Sequence, residues 1–115
     1  MKIRLFVMAK FDDYIVIFVT ASSMKQAKLL SEQLIRNKLA ACVNTVPVNS
    51  VFTWQAKVEK AREVLLIIKS RQRLFRKLER LIKRYHSYEV PEIIALPIIA
   101  GSKDYLDWIK KNTFS

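Results

Sequence analysis

Ala41-Cys-Val-Asn-Thr-Val-Pro-Val-Asn-Ser-Val-Phe-Thr-Trp54, followed by Glu63-Val-Leu-Leu-Ile-Ile-Lys69, reads as two β-strands with a short polar break between them. The first is long and rich in β-branched residues, and is expected to be interrupted or bulged at Pro47, since proline cannot donate a ladder hydrogen bond. The break, Glu59-Lys60-Ala61-Arg62, is short enough that the two strands should form an antiparallel hairpin. What flanks this hairpin fixes the topology.

Upstream, Tyr14 to Thr20 is a continuous β-rich run, the pattern of a strand buried on both faces. Ser23 with Gln26 fits a capping box, and Met24, Ala27, Leu30, Leu34 and Ile35 place an apolar stripe on the helix that follows. Downstream, a helix from about Ser70 to Tyr85 carries Leu74, Phe75, Leu78, Leu81, Ile82 and Tyr85 at helical spacing. His86 to Pro97, His-Ser-Tyr-Glu-Val-Pro-Glu-Ile-Ile-Ala-Leu-Pro, is a turn leading into a strand from Ile93 to Ile98. Gly101 and Ser102 open a short helix with Tyr105, Leu106, Trp108 and Ile109 on its apolar side. The order is β-α-β-β-α-β plus a terminal helix. That is an α+β fold of the ferredoxin-like, split βαβ plan, with both helices on one face of an antiparallel sheet. Residues 1–13 form an N-terminal extension and 14–115 a single domain.

Composition narrows the functional classes. The 115 residues are 51% apolar and 27% charged, which suits one globular core. A single cysteine, Cys42, forms no disulfide within one chain and points to a reducing cytoplasm. No apolar run approaches the roughly 20 residues of a membrane span. Leu5 to Ala9 is too short for a signal-peptide core, and Phe11-Asp12-Asp13 is no cleavage site. With Gly101 as the one glycine there is no phosphate-cradling loop. No nucleophile and base are suitably spaced, and Glu89 and Glu92 are expected to diverge around Pro91 instead of forming an acid–base pair. The chain is therefore expected not to be an enzyme.

The formal net charge is +11. Arg71, Arg73, Arg76, Lys77, Arg80, Lys83 and Arg84 crowd one helix with Glu79 as the one acid among them. This makes either a solvated face or an anion-binding face for nucleic acid, acidic lipid or an acidic protein. The sheet face left without helices would expose Val, Ile, Phe and Trp, which soluble monomers avoid. A homo-oligomer of closed cyclic symmetry follows.

Five blocks carry a family resemblance: Lys38-Leu-Ala-Ala-Cys-Val-Asn44, Ser50-Val-Phe-Thr-Trp54 with Lys57, Glu63 to Lys69, Tyr88 to Pro97, and Asp104-Tyr-Leu-Asp-Trp108. In order and spacing, from about Tyr14 to Lys111, they resemble the CutA family of divalent-cation tolerance proteins. The resemblance implies a ferredoxin-like subunit in a homotrimer of PII-like architecture, linked to tolerance of copper or other divalent ions. The site expected with such a trimer is a cleft between subunits with Trp54, Lys57, Glu63, Lys69, Tyr88 and Glu89, with His86 in it as a metal ligand, and no required cofactor. Any bound copper or other divalent cation would be held weakly. The departures are Ala56 where members often carry glycine, Ser87 in place of proline after His86, and Val19 and Tyr85 where some members carry proposed copper ligands.

The residues themselves leave alternatives open. Cys42 reads as a small buried hydrophobe or a reactive thiol, and His86 as a carbonyl cap or a metal ligand. Trp54 and Trp108 read as packing anchors, and Glu63, Lys69 and Glu89 as ion pairs or ligand contacts. The positive charge opposes cation accumulation. The alternative site is the basic face, Arg73, Arg76, Lys77, Arg80, Lys83 and Arg84, acting as an anion-binding or assembly module.

Overall fold

The computed structural model describes residues 14–114; the N-terminal extension and its apolar run lie outside the described residues. The elements are β1 (Tyr14–Ala21), α1 (Met24–Arg36), β2 (Cys42–Trp54), β3 (Lys57–Arg71), a 3₁₀ turn (Gln72–Leu74), α2 (Phe75–Tyr85), β4 (Ile93–Pro97) and α3 (Lys103–Lys111). The four strands form one antiparallel sheet in the order β2-β3-β1-β4. The expected α+β, ferredoxin-like plan is the observed one.

Both long helices cover the same side of the sheet. Ile15, Ile17, Val19 and Ala21 of β1 and Val64, Leu66 and Ile68 of β3 meet Ala27, Leu30 and Leu34 of α1 and Leu78 and Ile82 of α2. β1 is therefore not buried on both faces in the single chain. Its alternate residues, Val16 and Phe18 among them, lie half-buried on the helix-free side. The register places Leu65 and Ile67 beside them, with Val46 of β2 and Ile94 and Leu96 of β4 beyond. The last three are each at least 40% exposed.

The hairpin differs from expectation in two ways. β2 runs without a bulge through Pro47, which pairs in register with Val64. An edge strand uses the N–H of alternate residues toward its one neighbour, so proline is tolerated there. The polar residues 59–62 do not break the strand; they are part of β3, and the turn is Gln55–Ala56. Since β1 pairs with β3 only as far as Val64, the outer part of the hairpin is a two-stranded arm that projects beyond the sheet. Gln55 and Ala56 have φ of 50° and 66°. A two-residue hairpin turn with both φ positive matches the right-handed twist of its strands, but L-residues adopt it at a cost.

Helix ends explain smaller departures. Ser23 caps α1 by accepting from the Gln26 N–H, but the Gln26 side chain does not return the bond. It reaches instead to the end of α2. At the other end of α1, Leu39 N–H donates to the Leu34 carbonyl and Lys38 N–H to that of Ile35, with Lys38 at φ 55°. This is a Schellman cap with lysine where glycine is usual. Met24 and Ile35, expected in the core, face outward because the buried stripe of α1 is narrower: Ala27, Leu30 and Leu34. Arg71 does not belong to the basic helix. It ends β3 at 1% exposure and donates to the Phe114 carbonyl at 2.9 Å, fastening the chain's C-terminal segment.

Candidate functional site

The arm and the His86–Glu92 turn enclose the described cleft. Its volume is about 790 Å³, and its lining is Thr20, Asn49, Ser50, Val51, Phe52, Trp54, Glu63, Ser87, Tyr88, Glu89, Val90 and Glu92. Among the described residues three carboxylates line it and no lysine or arginine does. In a chain of charge +11, that segregation is the main electrostatic feature of the fold.

The turn is tied down residue by residue. His86 follows the end of α2, its N–H donating to the Ile82 carbonyl at 2.8 Å. Its ring Nδ1 accepts the Tyr88 N–H at 3.0 Å, so the proton sits on Nε2, which donates to the Thr20 carbonyl at 2.7 Å. The Gln26 side chain clamps the same turn: its amide donates to the Tyr85 carbonyl at 3.1 Å, and its oxygen accepts from the Ser87 hydroxyl at 2.7 Å. Thus β1 and α1 together aim Tyr88 into the cleft.

Tyr88 then meets Glu63. The phenol donates to the Glu63 carboxylate at 2.7 Å, and Glu63 is only 8% exposed. Burial first, then the hydrogen bond and the negative charge of Glu63, push the Tyr88 hydroxyl up to about 12. Burial, and then the Glu63 charge, also raise the Glu92 carboxyl above its usual range. The cleft is therefore a place where negative charge is crowded and partly desolvated.

Of the residues expected in the cleft, Trp54, Glu63, Tyr88 and Glu89 line it. Lys57 and Lys69 do not. Lys57 lies exposed at the arm's end opposite Trp54, and Lys69 bonds the Asn44 side chain farther along β3. Glu92, expected to diverge from Glu89, lines the same cleft, because the extended turn around Pro91 follows its wall. Sequence reasoning missed Glu92, Asn49 and Ser50. The polar interruptions of an otherwise apolar strand were the available signal for the last two.

Cys42 is half-buried, with its Sγ 3.7 Å from Asn44 Oδ1. Trp108 stacks on Tyr105 at 5.5 Å between ring centroids, and each is 42% exposed. The six basic residues Arg73, Arg76, Lys77, Arg80, Lys83 and Arg84 are all exposed.

Copper takes imidazole or soft sulfur donors. Both His86 nitrogens are engaged, and Cys42 lies in β2 opposite Lys69, away from the cleft lining. Among the described residues, no group of three or more His, Cys, Asp or Glu side chains could hold a metal ion. The described residues of one chain therefore do not build a closed metal centre. The cleft offers carboxylate oxygens, which suit a hydrated hard cation.

Among the described residues no helix is long and apolar enough to cross a membrane. The profile of the CutA1 divalent ion tolerance protein family matches residues 15–112. The divalent-cation tolerance protein CutA of Thermus thermophilus is 42% identical over 99 residues, covering 85% of this chain and 96% of that one. The chloroplastic protein CutA of Arabidopsis thaliana is 47% identical over 100 residues, covering 86% of this chain and 55% of that one. The chain thus spans about half the length of the plant relative and nearly all of the bacterial one. The crystal structure of CutA1 from Oryza sativa superposes with a TM-score of 0.87 at 45% identity, covering 90% of this chain and 96% of that one. With the fold, the block order and the profile in agreement over nearly the whole described domain, the chain belongs to the CutA1 divalent ion tolerance protein family.

Proposed function

We propose that this protein serves divalent-ion tolerance as a non-catalytic binding or regulatory subunit, whose ligand site is the cleft between the hairpin arm and the Tyr88–Glu92 turn. The observation that carries this reading is the cleft's lining, among the described residues, of three carboxylates and no cation in a strongly basic chain. Such a lining attracts a divalent cation locally, while the overall charge and the lack of a closed ligand set keep the affinity weak. A dissociation constant on the order of 10⁻⁴ M or higher suits such a site. Copper belongs to the ions to be compared, but no resident cofactor is part of the reading.

The working unit in this proposal is a cyclic homotrimer in the cytoplasm. The helix-free sheet face and the arm support it, since Val51, Phe52, Trp54 and Val58 are all more than 40% exposed in the single chain. A two-stranded arm of this kind is marginal in water without a cover. Light scattering at micromolar concentration tests the assembly, and a monomer there would remove it.

Calorimetry with zinc and copper tests the site. Weak binding that is lost in Glu63→Gln combined with Glu92→Gln, and kept in His86→Ala, supports the carboxylate cleft. Binding lost in His86→Ala alone, with the fold intact, would move the site to the imidazole.

A further inference from the structure

The cations gather on the other layer of the molecule. α1, the 3₁₀ turn and α2 carry nine lysines and arginines against two carboxylates, Glu32 and Glu79. One of these, Glu79, is already paired with Lys83 at 3.3 Å, one helical turn away. Arg76, Arg80 and Lys83 recur at spacings of four and three, opposite the buried Leu78 and Ile82, so they form one outward line. Gln26, near the start of α1, bonds the last residue of α2, so the beginning of α1 lies beside the end of α2. Lys25 and Lys28 of α1 therefore extend the cationic surface.

The same surface is not purely polar. Leu29 and Ile35 of α1 are 40% and 43% exposed and lie at the two edges of its outer face, roughly 120° apart around the helix, with Lys25, Lys28 and Arg36 between them. Neither contributes to the core. The aromatic residues of α2, Phe75 and Tyr85, pack inward, and the ring beside the cations is that of Phe114, 54% exposed with Lys77 Nζ 6.0 Å from its centroid, so a single ring and no run of stacking aromatics accompanies the charges. Cations alone suit any polyanion, whereas cations interleaved with exposed aliphatic side chains suit the boundary between lipid headgroups and acyl chains.

We propose that the outer face of α1 and α2 docks on an anionic lipid bilayer. Arg76, Arg80, Lys83, Lys25 and Lys28 meet headgroup phosphates, and Leu29 and Ile35 enter the interface. The contact is peripheral and reversible, and it is independent of what the cleft binds.

Co-sedimentation tests it with the full chain, using phosphatidylcholine vesicles with and without about 30 mol % phosphatidylglycerol. The expected result is binding to the anionic vesicles at about 50 mM NaCl, at least tenfold weaker at about 500 mM, and none to the neutral ones. The triple variant Arg76→Glu, Arg80→Glu, Lys83→Glu should lose at least tenfold, roughly the attraction of several basic residues to a charged leaflet. Leu29→Gln with Ile35→Gln should weaken binding a few-fold without changing its salt dependence. The unaltered protein decides the matter whether or not a variant folds. No binding to anionic vesicles at low salt, or equal binding to neutral ones, overturns the proposal. Tighter binding to mixed-sequence duplex DNA than to anionic vesicles, indifferent to Leu29→Gln and Ile35→Gln, overturns it too and makes the face a nucleic-acid surface.

Discussion

Removing one hydroxyl should measure how much the cleft's crowded charge matters. In Tyr88→Phe the ring remains beside His86, 4.8 Å between centroids, and the bond to Glu63 at 2.7 Å is lost. A hydrogen bond to a charged group contributes roughly 1.5–3 kcal/mol, and Glu63, at 8% exposure, has little water to replace it. The half-buried position of Tyr88 places the loss toward the lower part of that range, about 2 kcal/mol. In guanidinium chloride this is a midpoint shift of about 0.5 M for a domain of this size. The assay is equilibrium unfolding at one fixed protein concentration, because the proposed trimer would make stability depend on concentration. Glu63→Gln leaves a neutral acceptor and should lose about half as much. The pH dependence has a definite sign. The folded phenol holds its proton up to about 12, above its ordinary 10.0, so the bond's contribution is complete below pH 10 and disappears as pH rises through 12. A loss below about 0.5 kcal/mol, within the range of ordinary surface substitutions, would refute the reasoning. So would a Tyr88 ultraviolet titration unchanged by Glu63→Gln.

Other outcomes follow from single positions. Ala56→Gly should stabilise the protein by up to about 1 kcal/mol, because φ of 66° strains an L-residue more than the extra freedom of glycine costs the unfolded chain; denaturant midpoints will show it. Glu92→Gln should be neutral below the carboxyl's ordinary 4.5 and stabilising, by a few tenths of a kcal/mol after solvent screening, above its raised value, since ionising a carboxyl beside Glu63 is what costs stability; melts across pH 4 to pH 7 test this. Gln26→Ala should free the turn it clamps, with faster amide exchange at Ser87 and Tyr88 and about 1 kcal/mol lost.

The legible part of the fold was the part written in periodicity. Leu78 and Ile82 recur every four residues, so the inward face of α2 could be read locally, whereas the unbroken apolar run Val64 to Ile68 shows a strand without showing which of its faces meets the helices. Pro47 misled because its effect depends on whether the strand is at an edge, which only the assembled sheet decides. Arg71 misled because nothing local distinguishes a basic residue that fastens Phe114 from the exposed arginines two and five positions later. At the site, Trp54, Glu63, Tyr88 and Glu89 were identifiable through family blocks. Lys57 and Lys69 were not excluded by them, because a motif does not say which side of a strand or which end of an arm a residue occupies. The grip of Gln26 on Ser87 spans 61 positions and leaves no local trace.

The proposed seat of a divalent cation is the acidic cleft. The most direct measurement is a paramagnetic titration of the ¹⁵N-labelled protein with manganese(II), a hard ion suited to carboxylate oxygens. Amide signals of Tyr88, Glu89 and Glu92 and the Trp54 indole should broaden first, and Glu63→Gln with Glu92→Gln should abolish that selectivity. Broadening that begins elsewhere on the molecule, or that survives the double substitution unchanged, would contradict it.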